Sequence, residues 1–68
     1  MHSFYLHVKR HGQWIHYPEQ DGRSALAMME FLLERGVESK AVAKINGHSE
    51  IFNINELREA IEAVEAFT

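Results

Sequence analysis

A chain of 68 residues with formal charge −3, 46% hydrophobic content and no cysteine is read as one domain, 1–68. A domain of that size buries only about 60% of its unfolded surface. The lack of cysteine excludes disulfides, thiolate zinc sites and a thiol nucleophile. No apolar run reaches the roughly 20 residues a spanning helix needs, and the N-terminus lacks the basic-then-apolar order of a signal peptide, so a cytoplasmic protein is the expectation.

Residues 4–9 and 13–17 are rich in aromatic and β-branched types, which suits strands. His11-Gly12 between them suits a tight hairpin turn, and Pro18, lacking an N–H, should end the second strand. Asp21-Gly22-Arg23-Ser24 reads as a turn, with Asp21 or Ser24 capping a helix over 25–35. Arg35 is placed to face the negative end of that helix, and Gly36 to be its left-handed C-terminal residue. Residues 39–45 and 48–54 are a second pair of strands around Asn46-Gly47, the strongest short hairpin signal. Asn53 or Asn55 then caps a last helix from Glu56 to Ala66, with Leu57, Ala60, Ile61, Val64 and Phe67 on one stripe. The order is ββαββα, with a ββα pseudo-repeat over 3–36 and 39–67. The expected architecture is an α+β fold: one antiparallel sheet with two helices packed on one face.

With a two-residue turn at His11-Gly12, Val8 pairs with Ile15, His7 with His16, and Leu6 lies opposite Tyr17. Alternation puts Leu6, Val8, Ile15 and Tyr17 on the core face, and Tyr5, His7, Lys9, Trp14 and His16 on the other. In the second hairpin Ala41, Ala43, Ile45, Phe52 and Ile54 form the core face. Lys40, Val42, Lys44, Ser49, Ile51 and Asn53 point outward. An outer face mixing aromatic, apolar and basic residues is the type of surface that marks an interaction site.

Two cross-strand histidines can supply imidazoles to zinc, copper or nickel, but a tight site needs a third ligand, and His2 is the only obvious one. The plainer reading is a pair of solvated histidines, so no metal or other cofactor is expected. Protonating both would place like charges beside Lys9 and weaken the hairpin below pH about 6. Tyr5, Trp14, Lys9 and Lys40 outline a stacking platform for single-stranded nucleic acid. Against it, the basic residues are few, the chain is acidic overall, and no RNA-recognition motif is present. Glu56, Glu59, Glu62 and Glu65 recur every third residue and form either a solvated helix face or a surface for a basic partner. Met28-Met29 with Phe31 reads as core or interface packing. No nucleophile elbow, zinc-protease motif or phosphate-binding loop occurs, and the serines have no evident base, so the chain is not expected to be an enzyme.

The opening "YLHVKRHGQWIHY" resembles that of DUF2188 domains, which begin with a His-Val strand and a Gly-Trp turn. Tyr5, His7, Val8, Gly12 and Trp14 carry the likeness over the first half of the chain, and Gln13, between Gly12 and Trp14, departs from it. The hairpin-helix-hairpin outline is also similar to small ββαββ bacterial and phage domains. In size and style the chain resembles small phage-encoded inhibitors such as anti-CRISPR proteins. The resemblance implies no catalytic residues. The expected function is a small non-catalytic protein-binding module, an inhibitor or accessory subunit. Its contact residues are expected among Tyr5, His7, Lys9, Trp14 and His16, or on the acidic helix at Glu59 and Glu62. Homodimerisation through the sheet is the further expectation. A single-stranded nucleic-acid binder using the same aromatic face is the alternative, though nucleic acid is not the expected partner, and no membrane partner is expected.

Overall fold

The computed structural model describes residues 3–66. Four strands, β1 (Ser3–Arg10), β2 (Gln13–Asp21), β3 (Ser39–Ile45) and β4 (His48–Phe52), form one antiparallel sheet in the order β2-β1-β3-β4. Helices α1 (Gly22–Glu34) and α2 (Ile54–Ala66) pack on a single face of it. The α+β order ββαββα is therefore the observed one.

Both hairpins close with two-residue turns in which each central residue has positive φ: His11 and Gly12 at 52° and 78°, Asn46 and Gly47 at 51° and 82°. That is the primed turn whose twist matches paired strands. It sets the register Arg10–Gln13, Lys9–Trp14, Val8–Ile15 and His7–His16. Beyond His16 the pairing slips: Tyr5 meets Glu19, so Tyr17 and Pro18 together oppose Leu6. The expectation that Pro18 ends the strand is corrected here, since β2 runs on to Asp21. Its missing N–H costs nothing at a bulge on an edge strand.

The first helix starts earlier than the sequence suggests, at Gly22. Asp21 is its cap, accepting the Ser24 amide at 2.8 Å. That bond holds the Asp21 carboxyl below the usual carboxylate range. Arg35 is the C-terminal cap residue of α1, and its guanidinium lies 4.2 Å over the Phe31 ring in the last turn. The second helix opens with a reciprocal capping box: Glu56 N–H donates to Asn53 Oδ1 at 2.8 Å, and Asn53 N–H to Glu56 Oε1 at 3.0 Å. Asn53 is thus the cap. Asn55 instead accepts from Arg58 at 3.1 Å.

The core lies between the sheet and the helices. Phe4, Leu6 and Val8 of β1 meet Ala41 and Ala43 of β3 beneath Ala25, Met29 and Leu32 of α1 and Leu57 of α2. The three alanines allow close helix–sheet approach. Phe4 and Phe52 pack edge to face at 5.7 Å. Gly22 serves a close approach too: a Cβ there would lie 3.2 Å from Ile61 and 3.3 Å from Phe4. Two expected core residues are not buried, Ile15 at 40% exposed and Tyr17 at 37%. The buried helix residues cover β1 and β3, while β2 lies at the sheet edge beyond them. The stripe on α2 also leaves the core early, with Val64 58% exposed. Phe67 is outside the described residues.

Candidate functional site

The sheet face opposite the helices is uncovered. Strand pairing arranges its side chains in rows that cross the sheet. Trp14 and Lys9 form one row. His16, His7 and Lys40 form the next. Glu19, Tyr5, Val42 and Ile51 form a third, across all four strands. Five of the expected contact residues, Tyr5, His7, Lys9, Trp14 and His16, are therefore neighbours on one surface. Glu59 and Glu62 are exposed on α2, in the opposite layer. One flat contact cannot use both groups.

Because the turn-flanking pair of a two-residue hairpin is hydrogen-bonded, His7 and His16 fall at a non-hydrogen-bonded position, where side chains approach most closely. Their rings stack 3.9 Å apart and 12° from parallel. A metal bound to imidazole lies in the ring plane, and two nearly parallel planes this far apart do not meet at the 2.0–2.1 Å a zinc–nitrogen bond requires. Among the described residues no group of three or more histidine or carboxylate side chains could hold an ion. His2, the conjectured third ligand, lies outside the described residues. Burial, then the His16 and Lys40 charges, hold the His7 pKa below its ordinary 6.5.

Trp14 is the centre of a cationic cluster. Lys40 Nζ sits 4.3 Å from its ring centroid, reaching across from β3, and Lys9 Nζ lies 5.8 Å away. Such contacts hold the indole in a fixed attitude and half-bury it. The third row is different in kind: Tyr5, Val42 and Ile51 form an apolar band, with Tyr5 and Ile51 exposed. Glu19, at the end of that row, accepts a hydrogen bond from the Ser3 hydroxyl. The remaining lysine of this face, Lys44, lies across from Ser49. The face thus joins three lysines and two histidines to an aromatic anchor and an apolar band.

Glu56, counted with the acidic helix residues, is committed to the capping box with Asn53. Two features go beyond the sequence expectation, which grouped Lys40 with Trp14 on one platform and read Met28-Met29 with Phe31 as core or interface. Lys40 reaches Trp14 across an intervening strand, a proximity that only the strand order creates. Met28 and Phe31 are exposed rather than core, while Met29 alone of that group is buried. A visible signal existed, since Met28, Met29 and Phe31 span a wider helical arc than one buried stripe occupies.

Compared with known protein families, with curated proteins and with solved structures, the chain has no match. Among the described residues no helix is long and apolar enough to cross a membrane.

Proposed function

We propose that this chain is a non-catalytic protein-binding module that engages an acidic partner surface through its outer sheet face, as an inhibitor or accessory subunit. The observation that supports this reading is the Trp14 cluster beside the Tyr5–Val42–Ile51 band. A large aromatic held by cation–π contacts is an anchor of low entropic cost. The apolar band supplies area, and Lys9, Lys40 and Lys44 favour a partner carrying carboxylates. A homodimer using the same face would set these lysines against one another, so a different protein suits the surface better than a second copy.

A single-stranded nucleic acid is the alternative, favoured by the same lysines and aromatics. The lysine contacts count against it: Lys40 sits over the indole whose face a base would need.

The test is a tagged pull-down from source-cell lysate treated with nuclease, run with the wild type and a folded Trp14→Ala variant. A stoichiometric protein retained by the wild type and reduced at least tenfold by the variant supports the module. Material that vanishes with nuclease, with affinity falling steeply in salt, transfers the face to nucleic acid. Full retention by Trp14→Ala removes the outer face from the function.

A further inference from the structure

The helix side carries a second open feature. Strand alternation turns Arg10 to the same side as Leu6 and Val8. There, with Tyr17 of β2 and Met28 and Phe31 of α1, it lines a cleft of about 190 Å³ floored by Leu6 and Val8. The cleft exists because β2 lies beyond the edge of the helix layer. Its apolar walls are open to solvent, with Tyr17 37%, Met28 44% and Phe31 48% exposed.

Size and charge together define what fits. A cavity of about 150 Å³ accepts a benzene ring, so this cleft suits one large apolar side chain. With large apolar side chains carrying on the order of 200 Å² each, the three exposed lining residues present roughly 250 Å². A stable dimer needs about 800 Å² per partner, so the patch matches a short anchor segment better than a second copy. No carboxylate lines the cleft. Among the described residues Arg10 has no ion-pair partner. Of these residues, Arg10 is the one cation lining the cleft. A guanidinium beside an apolar slot complements an apolar residue with a neighbouring carboxylate, since arginine binds a carboxylate with two parallel hydrogen bonds.

We propose that the cleft between α1 and β2 docks a protein segment in which one large apolar side chain seats against Tyr17, Met28 and Phe31 while a neighbouring carboxylate binds Arg10. This site is separate from the outer face and does not depend on it.

The test titrates two tripeptides, acetyl-Glu-Phe-Glu-amide and acetyl-Lys-Phe-Lys-amide, into the labelled full chain. The methyl resonance of Met28 and the amide resonance of Arg10 report binding. The acidic peptide should give saturable shifts at both, with a Kd at least fivefold lower than that of the basic one. Arg10→Gln should bring the two constants together, and Met28→Lys, followed at the Arg10 amide, should abolish the shifts with both peptides. Trp14→Ala should change neither, which separates this site from the outer-face reading. Absent shifts, equal affinities in the wild type, or shifts confined to the outer face would each overturn the proposal. So would sedimentation showing a dimer that Met28→Lys dissociates, because the cleft would then belong to a second copy.

Discussion

Leu57→Ala is the sharpest test of how the fold is held together. Among the described residues Leu57 is the only one of α2 in the buried core, with Ile54 and Ile61 packed against it in part. The substitution removes three carbon groups. At about 0.8 kcal/mol for each, the transfer loss is about 2.4 kcal/mol, and an unfilled cavity raises such losses towards 5 kcal/mol. Helix α2 packs against α1 as well as β3 and β4, but its outer side is open and it can settle into the space, so the lower half of that range applies, about 2.5–3.5 kcal/mol. Against a total stability of about 3–10 kcal/mol for a chain of this length, that is a large share. Urea unfolding followed by circular dichroism should show it. With a slope of roughly 1 kcal/mol per molar, the midpoint should fall by about 2.5–3.5 M. Val64→Ala, about two helical turns further on and exposed, should stay within about 0.5 kcal/mol. A loss below about 1 kcal/mol for Leu57→Ala, or equal losses for both variants, would refute the docking of α2 described above.

Two further outcomes follow from the local chemistry. Asn53→Ala removes one half of the reciprocal cap of α2 and should cost about 0.5–2 kcal/mol in the same urea assay; an unchanged midpoint would mean that the cap does not hold in solution. The His7 pKa is lowered in the fold, so below its ordinary 6.5 the unfolded chain binds this proton before the folded chain does. Stability should therefore fall as pH drops from about 6.5 towards the folded His7 pKa, then stop falling on this account. The Tm at pH 5 should lie below that at pH 7.5, and His7→Gln should shrink the difference. A variant with an undiminished difference would remove His7 as its source.

The hairpins were legible because their signals are local. His11-Gly12 and Asn46-Gly47 prescribe positive φ at consecutive positions, and a two-residue turn then dictates every pairing nearby. The stacked histidines were readable for the same reason. Pro18 misled because proline reads as a strand end when the strand's place in the sheet is unknown; at an edge, beside a bulge, it is tolerated. Ile15 and Tyr17 misled for a related reason. Alternation tells which face a side chain occupies, but whether a helix covers that face depends on strand order. Lys40 and Trp14 were grouped on one face, but the contact of Lys40 with the indole was hidden likewise, since it forms only when β3 docks beside β1.

Strand β2 is where these non-local consequences accumulate. Its partner β1 is paired on both edges, whereas β2 has one free edge and, along much of its length, two open faces. Trp14 and His16 look outward, while Ile15 and Tyr17 look towards the cleft. The bulge and Pro18 interrupt the free edge and so hinder pairing with another strand. What β2 offers a partner is therefore its side chains more than its backbone. Neighbouring residues on it belong to different surfaces, so a substitution at Trp14 and one at Ile15 probe opposite sides of the molecule although they share a peptide bond. If the two surfaces act independently, the effects of such a pair on binding should add. A departure from additivity would mean that ordering one face of β2 also orders the other, and that the outer sheet and the cleft operate as one site wrapped around this edge.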